Sequence, residues 1–147
     1  MPIKKFRGKL PMGEQQRIHL STNDGLTGYR IRKFQIMSAA PGTAEHEYVA
    51  KIFVTDQTGS ISDTVDFNDP DLLGAAISFS RQSALNSVTD QIIIDTETFN
   101  QDIFVTIADA SGSTVECNYY LELDQVKLSI NESTFATLKN LRSNQQN

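Results

Sequence analysis

The chain has 147 residues and a formal net charge of −5 at pH 7, with one cysteine, two histidines and no tryptophan. This length is typical of one domain, which can bury a core without the help of disulfides or metals. A single cysteine excludes a disulfide framework and a cysteine-ligated zinc site. The acidic balance argues against non-specific nucleic-acid binding by the whole domain.

The charge is unevenly distributed along the chain. Residues 1–33 hold eight bases and two acids, a net charge of +6, whereas residues 34–147 hold five bases and sixteen acids, a net charge of −11. The sequence therefore joins a basic first quarter to an acidic remainder. The basic quarter is the segment in which we expect the partner-binding residues.

Residues 1–16 are predicted to form an extended basic N-terminal arm, because prolines and glycines interrupt them and no long periodic run is present. We expect this arm to reach over a neighbouring subunit, with bases giving charge complementarity and apolar side chains giving anchoring. The candidate partner-binding residues of the arm are Ile3, Lys4, Lys5, Phe6, Arg7, Lys9 and Leu10.

Residues 17–128 are predicted to form a mainly β body, an antiparallel β-sandwich of jelly-roll-like or immunoglobulin-like type. Residues alternate with a period of two at 48–55, 103–108 and 115–124, which is typical of strands. The last segment is the clearest amphipathic strand, with its odd-numbered residues inward and its acids and amides outward. The spaces between these segments leave no room for the helices of a parallel α/β fold.

Two helices are predicted. Asp69 before Pro70 matches a cap followed by the first helical position, so a short helix is expected there. Residues 129–147 are predicted to form a short C-terminal helix and a disordered polar tail, and Ser129 with Glu132 matches a capping box. So short a helix needs to dock its apolar stripe on the sandwich or on a neighbouring subunit. That stripe, also a candidate partner-binding surface, is Phe135, Leu138 and Leu141.

The sequence offers no catalytic set and no cofactor motif. Neither His19 nor His46 has a motif partner, and Cys117 lies on the inward face of its strand, where a small buried residue is usual. Four aspartates share one loop, but their spacing does not match an EF-hand, and a solvated loop is the simpler interpretation. They are Asp63, Asp66, Asp69 and Asp71. We therefore predict no enzymatic activity, no cofactor and no metal site.

Several stretches resemble one group of known proteins. They are NQDIFVTIADASG at 100–112, NYYLEL at 118–123, DQTGSIS at 56–62 with VDF at 65–67, ATLKNLR at 136–142 and KKFRG at 4–8. Over most of its length the chain is similar to small virion proteins encoded by marine tailed bacteriophages. The resemblance implies a structural protein that is made in the host cytoplasm and incorporated into the virion.

In outline, the chain also resembles capsid decoration (cement) proteins, which are small, β-rich, oligomeric and bound outside an icosahedral shell. The resemblance implies binding to the phage major capsid protein on the capsid exterior, as a homo-oligomer (dimer or trimer). No direct contact with nucleic acid is expected, and no apolar run is long enough to span a membrane. Two alternatives stay open: a head–tail connector or tail component, and a carbohydrate- or receptor-binding module of a fibre.

Overall fold

A computed structural model of the chain describes residues 2–40, 46–81, 86–93, 97–111 and 115–145. Within these ranges the protein is mainly β, with eight strands and one C-terminal helix. The elements are β1 (Ile3–Leu10), β2 (Glu14–Ile18), β3 (Thr27–Ser38), β4 (His46–Phe53), β5 (Leu72–Arg81), β6 (Asn86–Ile93), β7 (Ile103–Asp109), β8 (Cys117–Lys127) and α1 (Ile130–Gln145).

The eight strands form two antiparallel sheets, and each sheet combines strands from the beginning of the chain with strands from later in it. One sheet has the order β1-β8-β3 and the other has the order β2-β7-β4-β5-β6. A single buried cluster draws side chains from both sheets, such as Phe34 and Leu121 from the first and Tyr48 and Ile107 from the second. The prediction of a mainly β, antiparallel protein with a C-terminal helix is therefore confirmed.

The central strand of the three-stranded sheet has the predicted orientation. In β8 the odd-numbered residues from Cys117 to Leu123 are buried, whereas the even-numbered residues between them are partly exposed. Cys117 is a free, fully buried thiol, and its burial raises the pKa of that thiol to about 12. This cysteine therefore packs as a small core residue and is not an activated nucleophile.

The N-terminal residues differ from the expected arm. β1 pairs with β8 along its whole length, and β2 pairs with β7, so the expected boundary at residue 16 falls inside a strand. Gly13, with a φ of 80°, lies in the turn that takes the chain from one sheet to the other. Leu10 belongs to the buried core and Phe6 packs against it. Pairing with β8 and burial of these side chains explain why the segment is a strand.

The helix predicted at Asp69 and Pro70 is wrong. Pro70 and Asp71 form a turn, and β5 begins immediately afterwards at Leu72. The Asp69 carboxylate does act as a local cap, because it accepts a hydrogen bond of 2.9 Å from the Asp71 N–H, but it closes a turn. Leu72 and Leu73 are both buried because the start of β5 is covered on both faces, so they give no alternation for a strand prediction.

The C-terminal helix and its capping box are confirmed. The Glu132 N–H donates to Ser129 Oγ at 3.2 Å, and the Ser129 N–H donates to Glu132 Oε1 at 3.4 Å. The helix continues to Gln145, so the first part of the predicted tail is helical, while residues 146–147 lie outside the described residues.

Helix α1 contacts the rest of the protein through polar groups. Asn100, which is 1% exposed, donates from Nδ2 to the Gly25 carbonyl at 3.0 Å and to Thr137 Oγ1 at 2.8 Å. Ser133 Oγ donates to the same Gly25 carbonyl at 2.7 Å. Gly25 has a φ of 68°, which favours glycine, and a Cβ there would lie 3.0 Å from Ser133 Oγ. Leu138 and Leu141 of the predicted apolar stripe are exposed, whereas Phe135 borders a cavity of about 430 Å³ between the helix and the body.

Candidate functional site

The outer face of the three-stranded sheet gathers most of the basic residues of the first quarter. On β8 and on most of β3 its side chains alternate with buried residues, and on β1 they alternate with residues among which Phe6 and Leu10 contact the core. They are Ile3, Lys5, Arg7 and Lys9 on β1, Asn118, Tyr120, Glu122 and Asp124 on β8, and Arg30, Arg32, Lys33, Gln35 and Met37 on β3. We call this surface the cationic face, because it holds six bases and two acids, a net charge of +4.

The register of the strands explains how the charges are arranged. Glu122 lies opposite Lys5 on one side and Lys33 on the other, and Asp124 lies opposite Arg30. Directly opposite residues in an antiparallel pair have Cβ atoms about 5 Å apart, so opposite charges there attract each other. The acids of β8 therefore form a short negative line in the centre, with bases on both flanking strands.

A β-bulge in β3 increases the positive charge of this face. The register with β8 shifts between Ile31 and Lys33, so that Arg32 is an additional residue in the strand. Arg32 and Lys33 consequently occupy the same face, which a regular strand would not allow. The Arg32 guanidinium lies 3.6 Å from Glu122 Oε2 and 3.6 Å from Asp124 Oδ1, so it bridges the two acids.

Tyr120 and Glu122 form a coupled pair in the centre of the face. The Tyr120 hydroxyl donates to Glu122 Oε1 at 2.5 Å. That hydrogen bond, followed by the charges of Lys33, Lys5 and Arg32, lowers the pKa of Glu122. The same bond raises the pKa of Tyr120. Glu122 is therefore ionised at neutral pH, and the tyrosine hydroxyl is already engaged.

One end of the cationic face forms a groove of about 780 Å³. Arg7 and Lys9 border it on β1, and they lie opposite the neutral residues Tyr120 and Asn118 of β8. Met37, which is 62% exposed, borders the groove from β3. The groove thus combines two bases with an exposed thioether, a combination that suits an acidic protein segment carrying an apolar side chain.

The structure divides the predicted arm residues between two faces of β1. Ile3, Lys5, Arg7 and Lys9 lie on the cationic face, whereas Phe6 and Leu10 contact the core. Lys4 lies on the inner side, with Nζ 5.8 Å from the centre of the Tyr29 ring. The predicted helix residues Phe135, Leu138 and Leu141 lie on α1, which is not part of this face.

Sequence reasoning missed the contribution of β3 to the site. Arg30, Arg32, Lys33 and Met37 join the face because β3 pairs with the other side of β8. A signal was present in β1, where bases at positions 5, 7 and 9 alternate with Phe6, Gly8 and Leu10. This period of two indicates a strand with one basic face rather than a loose arm.

The two histidines lie in different surroundings, one in the core and one at the surface. His46 is buried, stacks on Tyr48 with ring centres 4.7 Å apart, and places Nε2 3.2 Å from Ser78 Oγ. His19 is exposed, with Nδ1 3.3 Å from Asp102 Oδ2. His46 and the Ser78 hydroxyl are both buried, at 1% and 3% exposure, and the neighbour of His19 is a carboxylate.

The acidic loop between β4 and β5 is held by turns. Asp66 Oδ1 accepts the Asn68 N–H at 2.9 Å, and Asp71 Oδ2 accepts from Thr55 Oγ1 at 3.3 Å. Among the residues that the structure describes, no group of three or more histidine, cysteine or acidic side chains is placed to hold a metal ion.

Comparison with known proteins adds no relative to this description. No family model, no curated protein and no solved structure matches the chain. In the described ranges, no helix has both the length and the apolar character that a membrane span requires.

Proposed function

We propose that the chain is a non-enzymatic structural protein of a phage virion, a capsid decoration protein that binds the exterior of the major capsid shell through its cationic face. The observation that carries the proposal is the concentration of six bases on one side of one sheet, in a chain whose overall charge is −5. The remainder of the molecule is strongly acidic. One face therefore attracts an acidic protein surface while the other surfaces repel it.

The composition of the face favours a protein partner. Glu122 and Asp124 lie in its centre, where they would repel the phosphates of a nucleic acid lying across the sheet. Its one aromatic side chain, Tyr120, is hydrogen-bonded to Glu122, and single-stranded nucleic acids are usually bound by several stacking aromatics. An acidic protein surface that places a base opposite Glu122 and Asp124 matches this pattern of charges better than a nucleic acid does.

We also propose that the two sheets pack as a jelly-roll sandwich. In a jelly roll an antiparallel ribbon is rolled up so that the first strand pairs with the eighth, the second with the seventh and the fourth with the fifth. The pairs β1–β8, β2–β7 and β4–β5 all follow this rule. The remaining ribbon pair would be β3–β6; in the described residues β6 pairs with β5 and also contacts β3. Viral capsid domains, lectin domains and cupins share this topology, so it is compatible with a virion role and does not by itself select one.

The location and copy number of the chain in purified virions test the proposal. A decoration protein is expected on the head exterior in hundreds of copies per particle, as measured by cryo-electron microscopy and quantitative gel analysis. A count of about a dozen at the neck would favour the head–tail connector instead. Absence from the particle would contradict both.

A charge variant tests the cationic face itself. Arg7→Gln with Lys9→Gln removes two charges from the groove, and Lys127→Gln with Arg142→Gln removes two charges from other parts of the chain. We expect the first pair to weaken rebinding to particles stripped of the protein by at least about tenfold, and the control pair to change it less than about threefold. Added salt should weaken binding of the unchanged chain as well. Equal effects of the two pairs would contradict the assigned face, and preferential binding of the chain to DNA would contradict the protein partner.

A further inference from the structure

β1 is an end strand of its sheet, and one of its two edges has no partner strand in the described part of the chain. The sheet order is β1-β8-β3, so β1 pairs with β8 on one side only. The main-chain hydrogen bonds show which residues face that side. The Gln125 N–H donates to the Pro2 carbonyl at 2.9 Å, so Pro2 and Gln125 form a hydrogen-bonded pair at the start of this ladder.

The same ladder shows which main-chain groups point away from β8. Hydrogen-bonded pairs recur at every second residue of an antiparallel ladder, so the residues of β1 that bond to β8 are the even-numbered ones, from Lys4 to Leu10. The N–H and C=O groups of the odd-numbered residues therefore point to the open side, and we call this row of groups the β1 edge. Its residues, all exposed, are Ile3, Lys5, Arg7 and Lys9.

The charges beside the β1 edge select an acidic partner strand. In an antiparallel pair, the residue directly opposite exchanges both hydrogen bonds, and its side chain lies on the same face of the sheet. A residue opposite Lys5, Arg7 or Lys9 would therefore project onto the cationic face, where an acid is attracted and a base is repelled. β1 of a second copy would place its bases against these same bases, so the charges disfavour pairing between two copies of this chain.

A cavity on the inner side of the β1 edge selects the residues that alternate with those acids. Its volume is about 400 Å³, and it lies between β1 and β2, the end strands of the two sheets, because residues of both strands line it. Phe6 lines it from β1, Ile18 from β2 and Tyr119 from β8, and the last two are 4% and 6% exposed. Successive side chains of a strand point to opposite faces, so every second residue of an added strand would point towards this cavity. Apolar residues suit those positions.

We propose that the β1 edge binds an extended segment of another protein, in which acidic and apolar residues alternate, as an added antiparallel strand. Main-chain hydrogen bonds to residues 3, 5, 7 and 9 hold the segment, its acids meet the bases of the cationic face, and its apolar residues cover the cavity. This inference rests on the proposed function, since the major capsid protein is the expected source of the segment. Unlike a flexible arm, β1 stays in its own sheet and offers its main chain to the partner.

Binding of a synthetic strand to the full chain tests the β1 edge directly. The probe is a capped octapeptide in which glutamate and valine alternate, and calorimetric titration measures its dissociation constant. N-methylation of the glutamates removes the N–H groups that would face β1, whereas N-methylation of the valines removes as many N–H groups that face away. We expect a dissociation constant below about 1 mM for the unmodified peptide, at least about tenfold weaker binding after methylation of the glutamates, and a change of less than about threefold after methylation of the valines. No binding at about 1 mM, or equal binding of the two methylated peptides, would overturn the proposal.

Proline and glutamine variants at one position separate main-chain pairing from charge. Arg7→Pro removes the charge and the outward N–H, whereas Arg7→Gln removes only the charge. The hydrogen bonds to β8 remain in both variants, because the N–H of residue 7 points away from that strand. Circular dichroism checks the fold, and Lys5→Pro with Lys5→Gln replaces this pair if Arg7→Pro unfolds. We expect the proline variant to bind the octapeptide at least about tenfold more weakly than the glutamine variant, and equal binding would overturn the β1 edge.

Rebinding to stripped particles separates this inference from the proposed function. Weaker rebinding of Arg7→Pro than of Arg7→Gln, with competition by the octapeptide, would support both. Equal rebinding of the two variants, without competition by the octapeptide, would overturn the β1 edge as the capsid contact while the proposed function stands. Octapeptide binding by a chain that does not rebind to particles would support the β1 edge and contradict the proposed function.

Discussion

Asp102 is the buried carboxylate whose replacement gives the sharpest test of the fold. Its Oδ1 accepts the N–H groups of Leu20 at 2.7 Å and Ser21 at 3.0 Å, and its Oδ2 accepts from Arg17 Nε at 2.8 Å. Asp102 itself is 7% exposed and directly precedes β7. It therefore ties the segment that follows β2 to the beginning of the neighbouring strand.

The pKa of Asp102 sets the size of the effect. Burial tends to raise this pKa, but the N–H groups of Ser21 and Leu20 and the Arg17 side chain outweigh burial, and the pKa falls from 3.8 to about 2. Because the folded value lies below the unfolded one, the ionised carboxylate stabilises the fold above about pH 4, and this contribution disappears as the pH falls through about 2. The difference between the two pKa values corresponds to about 2 kcal/mol.

We therefore expect Asp102→Asn to lower the free energy of unfolding by about 2 kcal/mol at pH 7, since the amide keeps the shape of the side chain but loses its charge. Near pH 2, which is close to the pKa of the folded state, about half of the folded molecules have a protonated carboxylate, so the difference between variant and unchanged chain should shrink to below about 1 kcal/mol. Urea denaturation at the two pH values measures both quantities. Glu14→Gln, at an exposed position of β2, is the control and should change stability by less than about 0.5 kcal/mol. An equal loss at both pH values would refute the role of the charge.

Two further predictions concern β1. Removing residues 2–10 deletes a paired strand and the buried Leu10, so we expect the free energy of unfolding to fall by at least about 3 kcal/mol. A truncated chain that melts within about 3 °C of the full chain would show that β1 is dispensable. Gly8→Ala introduces a Cβ 2.8 Å from the Tyr119 ring, so we expect urea denaturation to show a free energy of unfolding lower by about 1–3 kcal/mol. The control is Lys9→Ala at the neighbouring outward position, which should lower the free energy of unfolding by less than about 0.5 kcal/mol.

Local patterns in the sequence were sufficient to predict some elements of the fold. The alternation of β8 correctly separates its buried residues from its outer ones, because one face of the strand packs on the core and the other meets water. The capping box at Ser129 and Glu132 forms as expected, since its hydrogen bonds join residues that are three positions apart. Both signals act over a short stretch of chain, so they can be recognised without the tertiary structure.

Other elements depend on distant partners. The Asp69–Pro70 pair fits a turn as well as a helix start, and the burial of residues 72–76 on both faces at the start of β5 favours the turn. In α1 the three-residue spacing of apolar side chains predicts that this stripe packs on the body. Instead, hydrogen bonds join Thr137 to Asn100 and Ser133 to Gly25, so the helix turns its polar side to the body. Asn100 lies about thirty positions before the helix in the sequence, and no periodicity relates it to Ser133.

The sequence by itself determined that the charge of this protein is divided, with a basic first quarter and an acidic remainder. It also determined the alternation that gives β8 one apolar and one polar face. Only the tertiary structure decided that β1 and β3 flank β8, which follows them by more than 75 residues, and that most of the bases meet on one sheet face. The physical reason is that strand pairing is non-local: each strand is stabilised by main-chain hydrogen bonds and cross-strand contacts with partners that its own residues do not specify.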